Sequence, residues 1–401
     1  MKKEDLIFFA GKRILVTGHT GFKGSWLTRI LLYAGAEVIG YSLEPEGESL
    51  YRLMDEKAEK GSLKSVIADI RDYDRLLAVM RETQPELVLH MAAQPIVRTS
   101  YEQPRYTYET NVMGTVNLCE AVRLTPSVKS FLNVTTDKVY KNEERGEAFR
   151  EEEPLDGYDP YSNSKSCSEL VTHSYVNSFF REMGIAASTA RAGNVIGGGD
   201  FARDRIIPDS VRTALSGHSA SSNEEASVIR VRNPYSIRPF QHVLEPLFMY
   251  LTILKEQTLR PELAGAYNIG PEDADCVTTG DLVTRFCTAW NRTGTGEELT
   301  WENVGNAGPH EATFLKLDCS LARKTFGWKP VWNIDRALEE TVAWTRVYAD
   351  SEDKEPGVRS EMIRAEMERE IEAFLEDTMS ASSGVVLDKE SHPERESSCF
   401  G

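Results

Sequence analysis

The segment that most limits how this chain can fold is Gly18-His19-Thr20-Gly21-Phe22-Lys23-Gly24. A short run rich in β-branched residues, Arg13 to Thr17, precedes it. A stretch with helical spacing, Phe22 to Ala34, follows and stops at Gly35, a C-cap signal. Glycines spaced GxxGxxG let a backbone turn tightly, approach a pyrophosphate closely and pack a helix against a sheet. Turns use glycine for their own reasons, but the strand–turn–helix context marks this as a dinucleotide loop. Gly18, Thr20, Gly21, Phe22, Lys23 and Gly24 are its expected cofactor contacts.

The alternation continues. Glu37 to Tyr41 reads as a second strand, Ser65 to Ala68 as a weak third, Asp72 to Arg81 as a helix and Leu87 to Met91 as a fourth strand. Asn111 to Arg123 and Tyr161 to Phe180 read as helices, Ser130 to Thr135 and Ala187 to Arg191 as strands. Strand–helix repetition of this kind predicts an α/β fold with a doubly wound, Rossmann-type parallel sheet. The expected domains are a dinucleotide-binding domain over 1–195 and a smaller C-terminal substrate-binding lobe over 196–350, partly interleaved with it. Val228 to Val231 and Ala266 to Ile269 should return to the main sheet or to a small one beside it. A helical extension is expected over 351–378, where Met362, Ile371, Phe374 and Leu375 are too few apolar positions to say what it packs on. The Ser/Glu-rich end, 379–401, should be disordered.

With 401 residues, 40 % hydrophobic and 27 % charged, the chain can bury a sizeable core. No window approaches the length of a transmembrane helix, and the apolar run Leu6 to Phe9 is too short for a signal sequence, so no membrane association is expected. A net charge of −17 opposes nucleic-acid binding, while a phosphorylated small molecule remains possible through local arginines. The six cysteines are scattered without a CxxC pair, as in a reduced cytoplasmic protein without a metal site.

The second strand ends Gly40-Tyr41-Ser42-Leu43, with no acid to hold a ribose 2′-hydroxyl until Glu44 and no arginine for a 2′-phosphate, so it leaves NAD and NADP open. Ser42 is a candidate contact. Asp69 and Ile70 are placed to meet an adenine, or Asp69 is a simple cap. Ala92, Ala93 and Gln94 put small residues at the end of the fourth strand.

Tyr161 and Lys165 stand one helical turn apart. A lysine beside a tyrosine favours the phenolate, which suits the tyrosine to take a proton from a sugar hydroxyl. Thr136 ends the fifth strand, where this architecture places its ligand, and can bond the same hydroxyl. Asp137 adds a group suited to a second proton transfer, or a loop cap.

Several dispersed segments resemble the CDP-glucose 4,6-dehydratases: VTGHTGFKGSWL, HMAAQPIVRTSYEQP, TTDKVY, GYDPYSNSKSCSELV, ARAGNVIGGGD with DRIIPD, and IRPFQHVLEPL. The likeness runs from residue 11 to about 345 and implies NAD as cofactor and CDP-glucose as substrate. It implies that Tyr161, with Lys165 and Thr136, deprotonates the C4 hydroxyl as C4 loses hydride to NAD. Water then leaves across C5 and C6 with Asp137 as acid, and the hydride returns to C6. Lys138 stands where dehydratases acting on dTDP-glucose have a glutamate base; it either serves as a neutral base or stabilises the enolate. Val139 and Phe240 replace the Cys and Trp of many relatives and stay apolar. Arg191, Asn194, Asp204, Arg205, Arg238 and His242 resemble the substrate-side residues, with His310 and Glu311 in the same lobe. The resemblance also implies a homodimer paired through Thr107 to Arg123 and Tyr161 to Phe180.

Overall fold

The computed structural model describes residues 1–54, 60–143, 146–219, 227–294, 298–305 and 315–383. His310, Glu311 and residues 384–401, most of the expected tail, lie outside them. Seven strands form one parallel sheet: β1 (Arg13–Thr17), β2 (Glu37–Ser42), β3 (Ser62–Ile67), β4 (Leu87–His90), β5 (Ser130–Val134), β6 (Ala186–Ala192) and, after three strands of the second lobe, β10 (Ala266–Ile269). Their order is β10-β6-β5-β4-β1-β2-β3. The chain therefore winds outward from β1 in one direction and then, from β4, in the other, which opens a crevice at the carboxyl ends of β1 and β4.

Both faces of the sheet are covered. Ile14 and Val16 of β1 join one buried cluster with Trp26, Leu27 and Ile30 of the first helix, Phe22–Tyr33. Leu15 turns to the other, with Leu76, Val79, Leu118, Val122 and Phe180. Alternate side chains of an extended strand point to opposite faces, so a strand buried on both sides is apolar through its middle, as Ile14-Leu15-Val16 of β1 and Leu87-Val88-Leu89 of β4 are. The weak third strand is longer than expected and begins at Ser62. It is an edge strand whose faces are only partly buried.

The second lobe holds β7 (Asn194–Ile196), β8 (Val228–Val231), β9 (Ile237–His242), β11 (Cys276–Thr278) and β12 (Thr300–Asn303). β7 and β9 run parallel, β11 joins β9 antiparallel, and β8 pairs with β12. β10 returns to the main sheet beside β6, so the two lobes interleave. The last helix, Pro356–Ser383, passes the expected boundary at 378. It inserts Ile363, Met367, Ile371, Phe374 and Leu375 into the main cluster, each at most 2 % exposed. Among the described residues no helix is long and apolar enough to cross a membrane.

Candidate active site

A cleft of about 1270 Å³ opens at the carboxyl ends of the parallel strands. A single drug-sized ligand fits in roughly 300–1000 Å³, so the cleft has room for two molecules side by side. Among the described residues, all the site candidates named from the sequence line it except Gln94, Arg191 and His242.

The glycine loop forms one wall. Gly18 is left-handed, with φ +78°, and a Cβ there would meet the Ala92 backbone nitrogen at 2.8 Å. A Cβ on Gly24 would lie 2.0 Å from the Gly18 carbonyl oxygen, so the helix packs on the loop only because residue 24 has no side chain. Gly21 caps the Phe22–Tyr33 helix without a side-chain acceptor, which leaves the first-turn amides to a ligand, as a pyrophosphate requires. Thr20 bonds Ser42 Oγ and the Leu43 carbonyl, each at 2.8 Å, and ties the loop to the end of β2. Asp69 is held by Arg71 at 2.6 Å, which keeps its carboxyl below the usual range. Ile70 and the small residues Ala92 and Ala93 complete the wall. The residues present fit a dinucleotide cofactor.

The residues expected to react form a second wall. The Pro160–Tyr175 helix starts cleanly, with Pro160 in its first turn and Asp159 accepting from the Ser162 amide at 3.0 Å. That start places Tyr161 and Lys165 on the face towards β5. Tyr161 hydrogen-bonds Thr136, yet burial pushes its phenol up to about 12. Lys165 donates to the Val134 carbonyl at 2.9 Å, and burial brings its ammonium down to about 8. Asp137 is fully buried. Its Oδ1 accepts from Thr136 Oγ1 at 2.9 Å and meets Lys138 Nζ at 3.3 Å, while its Oδ2 makes no hydrogen bond among the described residues. A Cβ on Gly193 would sit 3.3 Å from that Oδ2, so glycine keeps the space beside it clear. Lys23, brought down to about 8 chiefly by burial, adds a cation near Asp137.

Three candidates lie away from the cleft lining. Arg191 is buried outside the cleft, where its fork meets Glu169 at 3.0 and 3.1 Å and its Nη1 reaches the Tyr140 hydroxyl at 2.7 Å. Glu169 also accepts from Thr135, so the pair braces the end of β5 beside Thr136. His242 is fully buried between Trp26 and Trp332, with Nε2 3.3 Å from Glu370 of the last helix. Burial holds its ring neutral, with a pKa near 3. Gln94 turns under its own loop to Thr107 at 2.9 Å and to the Ile96 amide at 2.6 Å. Each packs into the body of the protein because its partners lie there. Asn194, Asp204, Arg205 and Arg238 do face the cleft. So do Arg98, Arg230 and Arg232, which the sequence reading passed over, although Arg98 lies inside a segment quoted for the resemblance.

A doubly wound parallel sheet with this glycine loop and a Tyr-x-x-x-Lys helix defines a Rossmann-fold protein of the short-chain dehydrogenase/reductase type. Comparison with known proteins narrows the class. The profile of the GDP-mannose 4,6 dehydratase family matches residues 15–341. A CDP-glucose 4,6-dehydratase of Salmonella typhimurium is 45 % identical over 356 residues, covering 87 % of this chain and 94 % of its own. A dTDP-glucose 4,6-dehydratase of Bacillus anthracis, solved with NAD, shares the fold with a TM-score of 0.67 at 23 % identity, over 84 % of this chain and 97 % of that one. The UDP-glucose 4-epimerase of Thermotoga maritima gives a TM-score of 0.68 at 22 % identity, over 83 % and 98 %. The chain belongs to the GDP-mannose 4,6-dehydratase family.

Proposed function

We propose that the protein is an NAD-dependent hydro-lyase that converts CDP-D-glucose into CDP-4-keto-6-deoxy-D-glucose and water. The observation that carries the reading is Asp137, a buried carboxyl group with one oxygen unbonded among the described residues, next to the Thr136 that bonds Tyr161. Oxidation or epimerisation at C4 needs the tyrosine, the lysine and the threonine. A second proton-transfer group beside them suits the loss of a hydroxyl from C6.

Tyr161 takes the proton of the C4 hydroxyl. Thr136 orients that hydroxyl, and the Lys165 ammonium favours the phenolate. Gly18, Thr20, Gly21 and the first-turn amides would hold the pyrophosphate of NAD, and Ser42, Asp69 and Ile70 would meet its adenosine end. Bound there, NAD supplies the acceptor for the C4 hydride and its donor to C6. Asp137, in its protonated form, gives its proton to the departing C6 hydroxyl through the oxygen that makes no hydrogen bond among the described residues. Loss of the C5 proton gives the enolate that expels the C6 hydroxyl: Lys138 either takes that proton as a neutral amine and returns it to C5 when the hydride reaches C6, or sets its ammonium against the enolate while another group carries the proton.

The reading includes a cytoplasmic location, which the free thiols of Cys119, Cys167, Cys276, Cys287 and Cys319 suit. It also includes a homodimer, which is supported by Met113, Leu170 and Phe179, each 41–53 % exposed on the two helices named for pairing. The deciding experiment incubates the protein with NAD and, separately, CDP-, dTDP-, GDP- and UDP-hexoses and reads their masses. Loss of one water from CDP-glucose alone is the expected result. Loss from another sugar overturns the substrate, and no loss anywhere overturns the reaction.

A further inference from the structure

Asp204 holds an unusual place at the cleft. Its φ is +60°, a left-handed backbone that a residue with a side chain adopts only at a cost. In that conformation Oδ1 lies 3.4 Å from Arg98 Nη1 and 3.4 Å from Arg232 Nη2. Arg98 belongs to the Val97–Glu102 helix that follows β4, in the dinucleotide-binding half. Arg232 follows β8, in the second half. All three residues line the cleft, and their side chains are 35–44 % exposed. One carboxylate oxygen thus bridges two guanidiniums from opposite halves of the chain. The contacts are longer than the 2.7–2.9 Å of a good charge-assisted bond, so the bridge is a loose one. A diphosphate, with two charges and several acceptor oxygens, matches two guanidinium forks better than a single carboxylate oxygen does.

We propose that Arg98 and Arg232 form a clamp for the substrate's diphosphate that spans the two halves, and that Asp204 is its placeholder. On binding, the diphosphate takes the two guanidiniums and the Asp204 carboxylate swings away. Asp204 then acts against ligand affinity rather than as a direct substrate contact. The inference rests on the reading of the substrate as a nucleoside-diphosphate sugar.

Calorimetric titration with CDP, which is not turned over, tests it on wild type, Arg98→Ala, Asp204→Asn and the double variant. Asparagine suits the replacement because it tolerates the left-handed backbone and removes only the charge. Arg98→Ala is expected to weaken CDP binding tenfold or more, and in turnover its loss falls on KM rather than on kcat. Asp204→Asn is expected to tighten CDP binding severalfold, a gain that disappears in the double variant. Unchanged affinity in Arg98→Ala overturns the clamp, and unchanged or weaker binding in Asp204→Asn overturns the placeholder. Both side chains are partly exposed, and matched melting curves show that the fold is kept. Parallel titration with UDP, GDP and dTDP separates the two readings. Should wild type prefer another diphosphate, the choice of CDP falls and the clamp is judged on that ligand; binding of none of the four overturns both.

Discussion

At the scale of single residues the site divides by how local its logic is. Tyr161 and Lys165 are one helical turn apart, Thr136 and Asp137 are adjacent, and the glycine loop is continuous, so all were legible in the sequence. Replacing Tyr161 with Phe keeps the packing and removes the hydroxyl proposed to take the proton. Turnover is expected to fall 10²–10⁴-fold with an unchanged melting temperature, measured by water loss from the sugar. Full activity in that variant would reject the mechanism. The rate also has an alkaline limb to show. Lys165 carries its charge below about pH 8 and loses it above. Support for the phenolate therefore disappears as pH rises through 8, and kcat is expected to decline there; a flat profile from pH 7.5 to 9.5 contradicts this role. His90 gives a stability prediction of the opposite sign. It is buried between Thr17 and Thr115, with Nδ1 and Nε2 at 2.8 and 3.1 Å, and burial lowers its pKa to about 3. The unfolded chain binds that proton near pH 6.5 and the folded one does not. The stability this neutral ring contributes is present above pH 6.5 and is lost as pH falls towards 3, by about 1.4 kcal/mol per unit. Urea melts of wild type and His90→Asn should diverge by that slope, and parallel curves count against it. Arg191, His242 and Gln94 were not legible, because whether a polar chain faces a cleft or the body of the protein is decided by partners such as Glu169, Glu370 and Thr107, distant in sequence.

At the scale of elements, β1, β2 and β4–β6 were legible to within a residue or so at each end, because strands buried on both faces carry short runs of apolar or, in β6, small residues. The third strand was not, since an edge strand with mixed faces has no such run. The last helix was visible as a helix, but its partner was not. Its buried stripe includes Ile363 and Met367 beside the expected Ile371, Phe374 and Leu375, spaced three, four or seven apart as a helix facing a core requires. Phe374 stacks on Phe248 with centroids 4.9 Å apart and meets the edge of Trp332 at 5.1 Å. Glu368 lies 3.7 Å from the buried Arg29 of the glycine-loop helix. This helix therefore braces the first helix of the dinucleotide half as well as closing the core, although it lies beyond the residues that the family profile matches. Ile371→Ala is expected to cost about 2–5 kcal/mol, as large-to-small changes in packed cores do, read from the urea midpoint. A cost under 0.5 kcal/mol means that the helix is an appendage.

At the scale of the whole molecule, the two halves meet over one cleft, and the helix that carries Tyr161 and Lys165 also presents Leu170 to solvent, 53 % exposed. Met113 at 51 % and Phe179 at 41 % are likewise exposed on the elements that flank that helix in the chain or pack beside it. With a net charge of −17 two copies repel at long range, so the proposed pairing would have to come from apolar contact at close range, where screening by salt leaves it intact. This fixes the direction of the last prediction. Leu170→Glu puts a charge where two such surfaces would meet, and burying an unpaired charge is costly enough to prevent pairing. Light scattering is expected to give twice the chain mass for wild type and the single-chain mass for the variant, in 0.5 M salt as well as in low salt. Because the same helix holds Tyr161 and Lys165, losing the partner should also lower kcat while CDP still binds. A wild type that scatters as a single chain at tens of micromolar removes the dimer. A dimer that persists in Leu170→Glu moves the pairing surface away from this helix and leaves the catalytic geometry independent of any second copy.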